Sequence, residues 1–278
     1  MERQEPYIGP GTPPPIHEER YRSPALVPIV AVAMLLGAAA AAYFFWLRDT
    51  TLPAPPEPVA TPATPALPMA QAPRHPMQSK TEEQPLPGLK ESDGPVAAAL
   101  STIIGLDAFG QLFLTENLVR NIVATIDNLP REQVSQRVSP LRPVPGVPVT
   151  SGKGAALTLA TANAARYAPQ MRLVETVGTE RIVAFYRRHY PLFQQAYVEL
   201  GYPEGYFNDR LVEVIDHLLA TPEVPGPIRL AQPKVLYEFA DPALEELSAG
   251  QKMMLRIGKD NRERIKAKLR EIRAAIAT

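Results

Sequence analysis

Proline most limits what this chain can become. Eleven of its 32 prolines fall between Pro53 and Pro87, among alanine, threonine and glutamine. Each one removes a backbone donor and clashes with a preceding helical turn, so such a stretch holds neither a helix nor a central strand. Residues 48–90 therefore read as a semi-extended spacer, with a ceiling on the order of 120 Å at about 3.1 Å per residue. What folds must lie outside it.

On the N-terminal side, residues 1–24 are polar and proline-bearing, with too little apolar surface to offset the entropy of ordering, and read as a disordered cytoplasmic tail. Residues 25–47 are 23 positions without a charge, ending in Tyr43-Phe44-Phe45-Trp46-Leu47. At about 1.5 Å per residue this run crosses a ~30 Å hydrocarbon core, and its aromatic end suits the far interface. The alanines at 38–42 would suit a signal peptidase. The apolar run is longer than a signal peptide's, however, it follows a long polar tail, and bulky aromatic residues come directly after the alanines. The reading is an uncleaved transmembrane helix. Arg20 and Arg22 outnumber Arg48 across it, which places the N-terminus in the cytoplasm and the remainder outside.

The chain has no cysteine, which excludes disulfides, thiolate nucleophiles and cysteine-held metals. Its formal net charge of zero removes the broad attraction that non-specific nucleic-acid binding needs. No metal and no cofactor is expected.

Residues 91–278 carry the folded domain, expected to be mainly α, a compact helical domain with short extended segments. Ser92 or Asp93 caps a first helix with Pro95 in its first turn. Residues 96–104 and 109–129 then read as an antiparallel helical hairpin around Gly105 and Gly110, with Leu112, Leu118, Val119, Ile122 and Ile126 at helical spacing. Residues 130–154 hold Pro140, Pro143, Pro145 and Pro148 after Pro130 and read as irregular. Within them, Gly146 to Gly154 approaches a phosphate-binding loop, but the spacing is one residue too long. Pro148 also removes a donor, and Gly154 stands where a metal-binding hydroxyl is required. Residues 155–168 predict a short helix ended by Pro169. Thr179 caps the next helix, which should kink or restart at Pro191 and stop at Gly201. Asn208 or Asp209 is the expected cap of a helix to about Ala220. Residues 228–230 and 234–239 suggest short extended pieces without a true sheet. Asp241-Pro242 starts a short helix, and Ser248 with Gln251 resembles a capping box before one long helix to about Ala277.

Residues 185–219 concentrate the large side chains. Tyr186, Tyr190, Phe193 and Tyr197 form one helical stripe, read as core seam in preference to a ligand platform. Asp209, Glu213, Asp216 and His217, with His189 in reach, suggest a metal site or an acid/base pair. On a helical wheel the three carboxylates face away from Leu211, Val214, Ile215 and Leu218, which is the pattern of a solvated face. Near the C-terminus, residues 250–278 carry nine Lys or Arg against three Asp or Glu. They read either as a basic arm for an acidic polymer, lipid surface or partner helix or, the preferred reading, as a helix packed by Ile265, Leu269, Ile272 and Ile276.

The phrases Tyr-Pro-Leu-Phe-Gln-Gln-Ala-Tyr (190–197), Gly-Tyr-Pro (201–203), Phe-Asn-Asp-Arg-Leu-Val (207–212), Val-Ile-Asp-His-Leu-Leu (214–219), Tyr-Glu-Phe-Ala-Asp-Pro (237–242) and Leu-Ser-Ala-Gly-Gln-Lys (247–252) resemble an uncharacterised bacterial family, domain of unknown function 3014. The resemblance spans about residues 86–274. It implies a bacterial source and an envelope location, and brings no reaction, cofactor or catalytic residue.

The sequence thus predicts a single-pass inner-membrane protein with a periplasmic helical domain, acting as a cell-envelope interaction or scaffold module. Arg187, Arg188, Tyr202, Tyr206, Asp209 and His217, around the Gly-Tyr-Pro turn, form the expected contact surface for an envelope protein or cell-wall partner. The competing reading is a cell-wall hydrolase using the carboxylates of 209–217. A third is a spacer or oligomeriser acting through the C-terminal helix. The oligomeric state is not legible.

Overall fold

The computed structural model describes residues 72–77 and 85–277. The expected membrane span at 25–47, the tail before it and most of the spacer lie outside the described residues. Among the described residues no single helix is long and apolar enough to cross a membrane.

Among the described residues nine α-helices carry the domain. They are α1 (Asp93–Ile104), α2 (Leu106–Leu112), α3 (Leu118–Asn128), α4 (Ala168–Thr176), α5 (Thr179–Glu199), α6 (Phe207–Leu219), α7 (Pro242–Glu245), α8 (Ala249–Arg256) and α9 (Lys259–Ile276). The centre is α5, against which α3, α6, α9 and α1 pack. The main core joins Val96, Leu118, Val119 and Val123 to Phe193, Phe207, Ile215 and Ile276. Four buried residues (Tyr186, Phe193, Tyr197 and Phe207) hold ring centroids 5.5 to 6.3 Å apart in successive contacts. The aromatic stripe is therefore the core seam, with only Tyr190 left half-buried.

Two antiparallel ladders of two residues each cover a smaller cluster around Leu230, Phe239 and Leu255. They pair β1 (Thr150–Ser151) with β2 (Thr158–Leu159), and β3 (Leu230–Ala231) with β4 (Glu238–Phe239). An isolated bridge from Thr158 to Arg229 joins them.

Several boundaries differ from expectation, each for a local reason. The expected helix at 109–129 is two helices, because Phe113 and Leu114 leave the helix to pair with residues 140–142 and Asn117 turns the chain at φ 51°. The Asp93 carboxylate then takes the amides of Asn117 and Leu118, at 2.6 and 2.8 Å, and so caps α3 from a distance. Pro169 opens α4 instead of ending a helix, since a first-turn proline gives up no bonded amide. Pro191 lies inside a continuous 21-residue α5, because Tyr186, Leu192 and Phe193 on either side are fixed in the core. The C-terminal helix breaks at Gly258, whose φ of 91° separates α8 from α9. That break turns Arg262 and Lys266 inward, where both meet Glu223 and Lys266 also donates to the Thr221 carbonyl at 2.8 Å.

Candidate peptide groove at the 201–209 turn

The turn after α5 is held from below by one side chain. Gln194 donates to the Gly205 carbonyl at 2.7 Å and accepts the Phe207 amide at 2.8 Å and the Tyr190 hydroxyl at 3.0 Å. Gly205 is required by close approach, since a Cβ there would lie 2.9 Å from the Tyr197 ring and 3.2 Å from the Tyr202 Cβ. Tyr202 stacks on Tyr197 at 4.5 Å. The stack leads into a polar cluster around Asp127, itself 1% exposed. Its carboxylate accepts Arg210 Nε at 2.9 Å, Arg131 Nη2 at 2.8 Å and the Tyr202 hydroxyl at 3.2 Å. Burial, and then the Asp127 carboxylate, push the Tyr197 hydroxyl up to about 12.

Neither Asn208 nor Asp209 caps α6. Tyr206 occupies the cap position without a side-chain bond, and the next two polar residues are used on other partners. Asn208, fully buried, donates to the His75 carbonyl and the Ile276 carbonyl at 2.9 Å each, and accepts the Tyr186 hydroxyl at 3.2 Å. One amide thus joins the proline-rich segment, the end of α9 and the aromatic seam. Asp209 accepts the backbone amides of Arg74 and His75 at 2.9 and 2.7 Å, one on each carboxylate oxygen. Met77 adds an apolar contact to the main core. Residues 72–77, inside the stretch read as spacer, therefore lie along the domain.

Beside this segment a groove of about 320 Å³ remains, lined by Tyr206, Glu204, Asp209, Arg210 and Glu213 together with Arg74. Two adjacent amides and one carbonyl of a chain bent at Arg74 and His75 are read by two neighbouring side chains, which recognises backbone and leaves selectivity to the groove walls.

The six residues expected to form one surface are distributed over several sites. Tyr206 and Asp209 face the groove, and Tyr202 braces it through Asp127. Arg187 donates to the Ala275 carbonyl at 2.7 Å, tying α5 to the end of α9, and Arg188 is half-buried on the same helix. His217 pairs with the Ser248 hydroxyl at 2.7 Å, and that hydroxyl also caps α8 by accepting the Gln251 amide. Burial, then Arg210, lowers the His217 pKa.

Of the carboxylates on α6, Glu213 faces Arg210, while Asp216 is bound by Arg273, whose hydrogen bonds lower its pKa. An acid catalyst would require the opposite shift. His189 is buried with its Nδ1 against the Phe185 carbonyl and does not join them. Among the described residues no group of three or more His, Asp or Glu could hold a metal ion.

Asp127 and Gln194 were not singled out from sequence. Their signal was a polar residue on an otherwise apolar helical face, one turn after Val123 and Ala124 in one case and between Tyr190 and Tyr197 in the other.

A family model described as a protein of unknown function (DUF3014) matches residues 118–273. The chain belongs to this family. The matched span starts at α3 and ends within α9, so it includes Asp127, Gln194, Asn208 and Asp209 and excludes the segment they hold at 72–77. No curated protein and no solved structure matches the chain.

Proposed function

We propose that this protein is a single-pass, membrane-anchored interaction module of the bacterial cell envelope, whose periplasmic domain takes a peptide in the groove beside the 201–209 turn. The carrying observation is the Asn208–Asp209 pair, which binds successive backbone groups of residues 74 and 75. Segment 72–77 is then an intramolecular occupant, and a partner displaces it. Glu204, Asp209 and Glu213 against Arg210 leave the groove walls net acidic, which favours a basic residue at the place of Arg74.

The test uses the full chain with a photocrosslinker at Tyr206. In cells, adducts with a partner should rise when residues 72–77 are replaced by Gly-Ser and fall when Asp209→Ala removes the backbone acceptor. Adducts that ignore both changes would sink the groove reading. Membrane orientation is tested separately: the chain lacks cysteine, so Ala184→Cys offers a single exposed label site. Labelling by an impermeant maleimide from the periplasmic side is expected, and protection there would overturn the topology.

A further inference from the structure

Along the first half of α5 the domain contains two adjoining cavities of about 330 and 320 Å³, sharing Leu100, Ile182, Phe185, Leu269 and Ile272 as common wall. No polar atom contributes to either wall. In the outer cavity each apolar side chain except Val177 is only half-buried, so isoleucines, leucines and phenylalanines of the interior face an open void. Leaving such a void without a partner forfeits dispersion contacts on every lining side chain. Volumes of this size lie within the range of small-molecule sites.

The shape and the mouth specify the occupant. Along α9 the walls run from Ile265 in the outer cavity to Ile276 in the inner one, about 16 Å at 1.5 Å per residue. That is the length of one leaflet's chains, half of a ~30 Å hydrocarbon core. Lys268 lends its aliphatic stem to the outer wall, and its ammonium lies at the edge, donating to the Val177 carbonyl and the Thr179 hydroxyl at 3.2 Å and pairing with Glu271 at 3.5 Å. The Glu271 carboxylate is mostly exposed and its pairing is weak, so an anionic head group can take its place on a helix with seven Lys or Arg against three Asp or Glu.

We propose that these cavities bind one acyl chain of an anionic lipid, with the head group at Lys268. The ligand chemistry is shared by a free fatty acid and by an anionic phospholipid. This site is independent of the peptide groove, and its failure leaves that reading standing.

The experiment incubates the full chain with phosphatidylcholine vesicles carrying a diazirine-labelled palmitate in one arm and a diazirine-labelled phosphatidylglycerol in the other, then maps adducts by peptide mass. Adducts on Ile182, Leu269 or Ile272 are expected, and the arm that yields them identifies the source. Ile182→Trp, which fills the shared wall, should abolish them while thermal melting stays cooperative. Lys268→Gln should lower the yield about tenfold, as loss of a charged hydrogen-bond donor does. The proposal is overturned if wild-type adducts avoid the cavity walls, or if a folded Ile182→Trp chain is labelled equally. Should Ile182→Trp fail to fold, unchanged labelling of Lys268→Gln overturns it instead.

Discussion

The two halves of α5 face neighbours of different kinds. From Tyr186 onward its inward side chains are aromatic, and their polar tips find partners: Tyr186 reaches Asn208, Tyr190 reaches Gln194, and Phe193 lies stacked 5.8 Å from Phe207. Before Tyr186 the inward residues Ile182 and Phe185 line both voids, whereas Tyr186, Phe193 and Phe207 border the inner one only. A buried hydroxyl has to be satisfied, so each tyrosine fixes a position and an orientation for what packs on it. Aliphatic groups carry no such requirement, and the same helix leaves space where they predominate.

Truncation should separate the two halves. Phe207→Ala, at the centre of the seam and fully buried, is expected to cost about 3–5 kcal/mol in urea unfolding. Ile272→Ala should cost less than about 2 kcal/mol, because its half-buried side chain borders both voids while Phe207 borders only the inner one. Equal costs would break the comparison. In the polar cluster that braces the groove, Asp127→Ala should cost about 3 kcal/mol, since it leaves the mostly buried Arg210 with the residue 127 carbonyl at 2.9 Å and, as counter-charge, the long contact to Glu213.

Filling sharpens the contrast. Ile182→Phe adds volume where the walls do not meet, and should raise unfolding free energy by about 0.5–2 kcal/mol. The same kind of change at Gly205, where a single Cβ already meets Tyr197 at 2.9 Å, should destabilise instead. Thermal melting of both variants checks the opposite signs.

This asymmetry also explains how far the sequence could be read. Helical spacing identified the stripe from Tyr186 to Tyr197, because periodicity reports which face is buried. It could not report whether the opposite wall closes, so the cavities beside Ile182 and Phe185 were invisible. Proline and glycine rules erred in both directions: Pro191 was overruled by packing on either side, while Gly258 broke a helix that its flanking pattern seemed to continue. The groove was half legible. Tyr206 and Asp209 stood out as polar groups near a turn. Their partner, the backbone of residues 74 and 75, carries no sequence signal, since an amide is common to nearly every residue. Arg187 and His217 were drawn to the same surface by proximity in sequence alone, and the fold places their bonds on α9 and α8.

A pH titration probes the seam and its neighbourhood with a smaller effect. His189 and His217 both have pKa values lowered from 6.5, burial being the largest cause in each. The unfolded chain therefore takes up protons at a higher pH than the folded one. Their contribution to stability is fully present above about pH 6.5 and is lost as pH falls through the folded values. Urea midpoints should decline on acidification below pH 6.5, and His217→Gln should flatten part of that slope. A decline untouched in both His217→Gln and His189→Gln would place its origin in the carboxylates instead.

The smallest expected effect on stability bears most directly on the groove. Asp209→Asn preserves size and removes one acceptor oxygen, presenting an amino group to an amide that needs an acceptor. Only one of the Arg74 and His75 amides can then be satisfied, at a cost of about 1 kcal/mol or less for this partly exposed pair. Hydrogen exchange should rise at one of the two amides in Asp209→Asn and at both in Asp209→Ala. Phe207 and the seam should keep wild-type protection in both variants. If the seam loosens along with the segment, Asp209 holds the domain together; if only the segment is released, the groove is a separable binding site on a rigid frame.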